Sequence, residues 1–227
     1  MGREIALSLA RRGASVAVHY RGSATEAEAT VRAIRKLRVR AVAIPGDLRR
    51  VSEAVRISTE TVRALGRLDV LVNSAAVYQA TPFGKVSEEE YDLHLDANLK
   101  GPFFLSQAAA PELRRRKGVI VNLADWAGIR PYEGYAPYLL SKAGTIAMTK
   151  ILARELAPDV RVNAVLPGPV LMPEDWNART VKGIRRQVPL RKIGTPADVA
   201  AAVVFLIEGS DFITGALLPV DGGRLIS

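Results

Sequence analysis

The chain has 227 residues, 48% of them hydrophobic, and carries 32 Lys and Arg against 23 Asp and Glu, a formal charge of +9; that length suits one domain, 1–227, with a single large core. With no cysteine there are no disulfides, thiolate metal sites or cysteine nucleophile, and with no apolar run near ~18 residues and no signal peptide the expectation is a soluble, cytoplasmic protein without membrane attachment. The basic residues are spread along the chain, Arg114-Arg115-Arg116 being the one run of three arginines, and aromatics supply only 6% of residues, so a basic surface attracting small anions accounts for the charge better than nucleic acid does.

In chain order, Gly2–Arg12 reads as a helix closed by Gly13. A doubly wound α/β fold normally opens on a strand, followed by a glycine-rich turn that cradles a pyrophosphate. Neither that strand nor a G-x-G-x-x-G motif is present. Gly2 reads as the last glycine of such a turn, and the natural chain is expected to begin upstream. Strands are expected at Ser15–Tyr20, Ala41–Ile44, Asp69–Val72, Gly118–Leu123, Val160–Val165 and Ala216–Val220. Their continuous apolar character suits strands buried on both faces of a parallel sheet. Between them lie helix signals. Ser23 with Glu26, and Ser87 with Glu90, fit capping boxes. Ala27, Val31, Ile34 and Leu37 repeat at helical spacing, and Thr195-Pro196 places a cap before a first-turn proline. A long helical pattern containing Asn98 is interrupted near Gly101-Pro102. Repeated βα units predict an α/β fold: a Rossmann-type doubly wound parallel sheet with helices on both faces, its first strand absent from this chain. Two neighbours of that strand are then left with unpaired backbone groups, each costing about 1–3 kcal/mol if buried. The polypeptide is therefore expected to fold poorly or to bind its cofactor weakly.

Several positions carry chemistry. Tyr138 and Lys142 are four residues apart in Tyr138-Leu139-Leu140-Ser141-Lys142, which on a helix puts both on one face. An ammonium beside a phenol lowers the phenol's pKa from about 10 and suits it to proton transfer. Ser15–Tyr20 ends His19-Tyr20-Arg21-Gly22-Ser23 with no acid. In a dinucleotide site an acid there holds the ribose hydroxyls, whereas an Arg accommodates a 2′-phosphate, so Tyr20, Arg21 and Ser23 favour NADP(H) over NAD; a polar loop ending in a helix cap is the plainer alternative. Asp47, in Gly46-Asp47-Leu48, is either an acceptor for the adenine amino group or a turn residue. Asn73-Ser74-Ala75-Ala76 lets backbone approach a ligand closely. Asn98, unfavourable inside a helix, reads as having a polar task such as holding water. His19 and His94 make no usual zinc site without carboxylates.

Taken together these positions resemble the short-chain dehydrogenase/reductase family over essentially the whole chain, Gly2 to Arg224, including Pro167-Gly168 after a strand and the closing Val220-Asp221-Gly222-Gly223. The resemblance implies a nicotinamide cofactor and hydride transfer. Tyr138 is then the acid/base, Lys142 holds the nicotinamide ribose and tunes Tyr138, and Asn98 anchors a proton-relay water. Cofactor contacts fall to Gly2, Leu48, Asn73, Ser74, Ala75, Pro167, Gly168 and Val170, besides those already named. Tyr132 and Tyr135 lack a lysine four residues on and do not compete with Tyr138.

Two positions depart from the family pattern. Asp125 stands 13 residues before Tyr138, where a serine usually holds the substrate carbonyl, and Met172 stands where a threonine is common. A carboxylate repels a carbonyl oxygen unless one of them is protonated, and it suits a ring nitrogen or imine that gains a proton. Asp125, with Tyr138 and Lys142, is similar to the constellation of pteridine reductases, as are His19–Ser23, Pro167–Leu171, Gln187–Leu190 and Asp221–Arg224. A dihydropterin substrate is accordingly expected, with Val77, Trp126 and Trp176 beside it. Val77 stands where those enzymes often have a phenylalanine platform, and Tyr78, Trp126 or Trp176 would compensate. A short-chain ketone, alcohol or 3-oxoacyl reductase is the alternative. A non-catalytic cofactor-binding or regulatory protein is another, disfavoured by the intact Asn98, Asp125, Tyr138 and Lys142 set. A homotetramer or dimer is also implied, built on the helices that carry Asn98 and Tyr138, with the apolar run Val203–Ile207 either joining an interface or buried within the monomer.

Overall fold

The computed structural model describes residues 1–172 and 176–227. Helix α1 (Gly2–Ala10) leads into β1 (Val16–Tyr20), followed by α2 (Ala24–Arg35), β2 (Ala41–Pro45), α3 (Val51–Leu65) and β3 (Val70–Asn73). Next come α4 (Glu88–Leu95), a π-helical turn (Asp96–Lys100), α5 (Gly101–Arg116), β4 (Val119–Leu123), a 3-10 turn (Trp126–Gly128) and α6 (Ala136–Glu155). The chain closes with β5 (Arg161–Pro167), α7 (Ala178–Gln187), α8 (Pro196–Glu208) and β6 (Leu217–Val220). Each expected strand is present, with every end within two residues of its expected position.

Every strand pairing is parallel, but the sheet is divided: β1 pairs with β2, and β3-β4-β5-β6 form a separate ladder. The doubly wound parallel arrangement expected from the sequence is present, and its interruption falls between β1 and β3, where no described segment runs. Burial follows the division. β4 is buried throughout and β5 at all positions after Arg161, whereas β1 is half-buried along its length and β3 up to Asn73. The expectation of strands buried on both faces therefore holds only for β4 and β5, whose two edges and two faces are all covered.

Alternation along the central strands sends successive side chains to opposite layers. Val119, Val121 and Leu123 of β4 meet Ile5 of α1 and Val199, Val203 and Leu206 of α8 on one face. Ile120 and Val162 meet Leu113 of α5 and Met148 and Leu152 of α6 on the other. Leu113, Ile120 and Val162 are 0% exposed, and each such burial contributes on the order of 1.5–3 kcal/mol. Within Val203–Ile207, Val203, Val204 and Leu206 are buried in the monomer and Phe205 is 50% exposed.

Capping follows the sequence with one exception. Ser87 with Glu90 forms a reciprocal capping box, and so does Thr195 with Asp198, with Pro196 in the first turn. Ser23 stands at the amino end of α2 but makes no side-chain cap bond, so the box expected with Glu26 does not form. The helical interruption lies at the π turn holding Asn98 rather than at Gly101-Pro102, which begin α5. Among the described residues no helix is long and apolar enough to cross a membrane, and no group of His, Asp and Glu gathers to hold a metal ion.

Candidate active site

The expected site residues gather at the carboxyl ends of the strands, where ligands bind in open α/β sheets. Tyr20 ends β1 and Arg21 follows it; Asp47 follows β2, Asn73 ends β3, Asp125 follows β4, and Pro167 ends β5. The amino end of α1, at Gly2, meets the same corner, since a Cβ on Gly2 would lie 3.4 Å from Ser74 Oγ.

Asp125 and Tyr138 are in direct contact. Tyr138 Oη donates to Asp125 Oδ2 at 2.7 Å, and Asp125 Oδ1 accepts the Ala127 N–H at 2.8 Å as the cap of the 3-10 turn. Lys142, one helical turn beyond Tyr138, is 4% exposed; its Nζ donates to Leu123 O at 2.8 Å and lies 5.7 Å from the Tyr138 ring centre. Burial pushes the Asp125 pKa up, against the lowering effects of Tyr138, Ala127 N–H and the Lys142 charge. Burial also pushes Tyr138 up, reinforced by the Asp125 charge and the bond to it. The expected lowering of Tyr138 by Lys142 is therefore corrected: the phenol hydrogen is held by a carboxylate, and the lysine bonds to backbone. Lys142 itself is lowered to about 8 by burial, which outweighs the opposing pull of Asp125.

Asn98 sits on the π turn, a one-residue widening of a helix that recurs at functional sites. Its Oδ1 accepts the Val77 N–H at 2.7 Å, and its Nδ2 donates to Val77 O at 2.9 Å and Ser141 Oγ at 3.0 Å. Ser141 in turn donates to Tyr138 O at 2.6 Å. The amide is thus spent on fastening the Val77 segment to α6. Its side-chain oxygen accepts one bond in this arrangement, so the expected water-holding role is compatible with the clamp on Val77.

Above Tyr138 lies an aromatic cap, of which the sequence pointed only to Tyr78. Tyr78 stacks on Tyr135 at 4.7 Å between ring centres and meets Tyr138 edge-on at 4.8 Å, and Tyr132 meets Tyr135 edge-on at 5.4 Å. Searching for a lysine partner missed Tyr132 and Tyr135; the density of aromatics between Trp126 and Tyr138 was the available signal. Trp126, expected beside substrate, is 8% exposed, packs against Tyr132 and has the Arg224 guanidinium 4.7 Å over its ring. Most of that ring is covered by protein groups. Val77 and Trp176 are half-buried, and Tyr78 is the more exposed ring at 39%.

At the cofactor end the residues divide. Asn73 is mainly a tie between strands: its Nδ2 donates to Asn122 Oδ1 at 2.8 Å and Ser106 Oγ at 3.1 Å, while its buried Oδ1 lacks a partner. Asp47 accepts Arg49 Nε at 2.9 Å, a pairing that, with Arg21 nearby, holds its carboxyl down to about 2. Asp47 thus sits in a turn paired with Arg49, and a bond to an adenine amino group would share its oxygens with that guanidinium. Leu48 and Val170 are buried, and Gly168 is required by close approach, a Cβ there falling 2.5 Å from Asp221 Cα. Ala75, Arg21 and Ser23 are exposed. These residues fit a nicotinamide dinucleotide. Lys142 Nζ has three donors and one protein acceptor, Asn73 Oδ1 is a buried acceptor facing the β3 end, and in the first turn of α1 only Glu4 and Ile5 return bonds to Met1 O, which frees earlier N–H groups for an anion.

Residues 1–224 match the family model adh_short_C2, described as Enoyl-(Acyl carrier protein) reductase. The chain is 39% identical over 228 residues to 3-oxoacyl-[acyl-carrier-protein] reductase FabG of Staphylococcus aureus, covering 98% of this chain and 93% of that one. It is 34% identical over 232 residues to 3-oxoacyl-[acyl-carrier-protein] reductase of Synechocystis, covering 100% and 93%. A solved short-chain dehydrogenase/reductase of Serratia marcescens superposes with a TM-score of 0.92 at 30% identity, covering 99% of this chain and 93% of that one. These names correct the expected nearness to pteridine reductases and favour the 3-oxoacyl alternative. The chain belongs to the short-chain dehydrogenase/reductase family and is an oxidoreductase of that fold.

Proposed function

We propose that this protein is an NADPH-dependent reductase of 3-oxoacyl thioesters or similar ketones. The observation that carries the reading is the contact of Tyr138 Oη with Asp125 Oδ2 at 2.7 Å, with Lys142 buried behind it. A nicotinamide cofactor held by Gly2, Asn73, Lys142, Gly168 and the Arg21–Ser23 loop supplies the hydride when bound. The chain's own residues handle the proton. Tyr138 donates its hydroxyl hydrogen to the carbonyl oxygen as negative charge develops there. Asp125 occupies the usual serine position and serves best as a neutral acid, which donates to the same oxygen instead of repelling it; the burial that raises its pKa favours that form. The Lys142 ammonium stabilises the phenolate left on Tyr138. The tyrosine cap excludes water and gives a flat wall to the substrate.

A second reading, reduction of the C=N bond of a dihydropterin, rests on the same Asp125, since a carboxylate stabilises a protonated ring nitrogen, with Tyr78 as the aromatic platform. The deciding experiment is a substrate panel of acetoacetyl thioester, simple ketones and dihydrobiopterin, each with NADPH and NADH. Thioester reduction with NADPH is expected, and Tyr138→Phe should lower turnover by roughly 10²–10⁴-fold. Turnover of pterin alone would transfer the assignment to the second reading. NADPH binding without turnover of any member would favour a non-catalytic role. We also infer a homo-oligomer, supported by Phe103, Leu140 and Ile151 on α5 and α6, which are 37%, 53% and 55% exposed; light scattering giving a monomer mass would refute it.

A further inference from the structure

We propose that Arg130 and Arg224 form an anion-binding subsite at the edge of the aromatic cap, which takes a carboxylate or phosphate group carried by the substrate. The assignment rests on the reading of the space over Tyr138 as the substrate site. Trp126 follows Asp125 directly in the chain, packs on Tyr132 at 5.9 Å between ring centres, and carries the Arg224 guanidinium 4.7 Å over its ring. That cation therefore stands one aromatic ring beyond the carboxyl that bonds Tyr138. Arg130 lies just past the 3-10 turn that Asp125 caps. It brings a second guanidinium to the same place, with Nη1 donating to Arg224 O at 3.4 Å.

Two neighbouring cations repel each other, and the protein supplies little to offset them. Among the described residues neither Arg130 nor Arg224 is in a salt bridge. Asp221, the acid whose charge reaches Arg224, has both oxygens committed to backbone, accepting the Gly223 N–H at 2.8 Å and the Leu225 N–H at 2.6 Å. Burial, and then the Arg130 charge, push the Arg224 pKa down against Asp221, an imbalance that a bound anion would relieve. Arg224 is also held in place. Its Nη2 donates to Gln187 Oε1 at 2.7 Å and its Nη1 to Ser227 Oγ at 3.2 Å. A guanidinium has five N–H donors, in a planar fork that matches the paired oxygens of a carboxylate or phosphate. A purely structural tie between α7 and the 3-10 turn needs the Trp126 stack and the Gln187 bond, but it gives no reason for Arg130 to stand beside them. The rings of Tyr132 and Tyr78 run from Trp126 to Tyr138. A substrate chain lying along them would join a carbonyl at Tyr138 to an oxyanion at the arginines.

The test uses the full chain with NADPH and two pairs of ketones matched except for one charge. Acetoacetyl phosphopantetheine against acetoacetyl pantetheine reports a carrier phosphate, and 7-oxooctanoate against its methyl ester reports a carboxylate. In at least one pair the charged member should have a KM roughly tenfold or more below its neutral partner, with kcat little changed. The preference should weaken in Arg130→Gln and vanish in the Arg130→Gln, Arg224→Gln double variant, with the KM of the neutral member unaltered. Equal KM values in both pairs, or a preference that survives in the double variant, would overturn the proposal and leave the reductase assignment standing. A merely structural Arg224 would change both members of a pair alike. Should the double variant not fold, Arg130→Gln, at an exposed position, decides alone. If no ketone is turned over, binding decides. Trp176→Phe leaves Trp126 as the one tryptophan, and its emission should change saturably with phosphopantetheine or 7-oxooctanoate but not with pantetheine or the methyl ester. No saturable change with either charged compound would overturn the subsite.

Discussion

Lys142→Met separates the electrostatic cost of the buried ammonium from its catalytic use. The Lys142 pKa falls from 10.5 to about 8 on burial, which at about 1.36 kcal/mol per unit amounts to roughly 3 kcal/mol. Above pH 10.5 the amine is neutral in folded and unfolded chains alike, and the penalty is absent. As pH falls toward 8, the unfolded chain takes up a proton that the folded one does not, and stability declines by up to ~1.4 kcal/mol per pH unit. Below about 8 the full penalty applies. The methionine variant lacks this dependence but leaves Leu123 O without its donor, a loss of about 1–3 kcal/mol. Near pH 7 the two effects oppose, and parent and variant should lie within about 2 kcal/mol of each other. Between pH 8 and 10.5 the parent should gain roughly 3 kcal/mol over the variant. Urea unfolding of both proteins at several pH values measures the difference directly, with titrations common to both cancelling. A difference that stays constant across this range would refute the reasoning, because it would mean the ammonium is not paying for its burial in the folded chain.

Other consequences follow from the same site. The raised Asp125 pKa means that ketone reduction requiring its neutral form is intact at low pH and declines as pH rises through that pKa; Asp125→Ser should flatten this limb of the pH–rate profile and lose dihydropterin reduction more than ketone reduction, and an unchanged profile counts against a neutral Asp125. Asn98→Ala removes the three bonds to Val77 and Ser141, at about 1–3 kcal/mol for each buried group left unpaired, and should accelerate amide exchange at Val77; a variant with parental exchange would show that the clamp is unimportant. Ser23→Ala should spare stability, since Ser23 makes no cap bond and the usual cap loss of ~0.5–2 kcal/mol does not arise. Combined with Arg21→Ala it should raise the KM for NADPH and not for NADH; equal effects on both would remove the 2′-phosphate role from this loop.

The order of strands and helices was legible from the sequence because apolar runs, helical spacing and caps act over a few residues. Ser87 with Glu90 and Thr195 with Pro196 marked real helix starts, and Tyr138 with Lys142 marked a real shared face. Which strands pair was not local: among the described residues β1 pairs with β2 and β3 with β4, on either side of one cleft. The site divides in the same way. Sequence spacing put Asp125 in the serine position, but the direction of the Tyr138 pKa depended first on its burial and then on Asp125 as the neighbouring charge, with Lys142 turned to Leu123 O. Asn98 read as a lone polar residue in a helix until Val77, 21 positions away in the chain, took up its amide. Ser23 shows the reverse, a correct motif whose side-chain bond does not form. Local patterns select elements because propensity and capping energies are short-ranged. Partners, burial and hence pKa values are set by residues distant in sequence, and only the packed fold determines which of them meet.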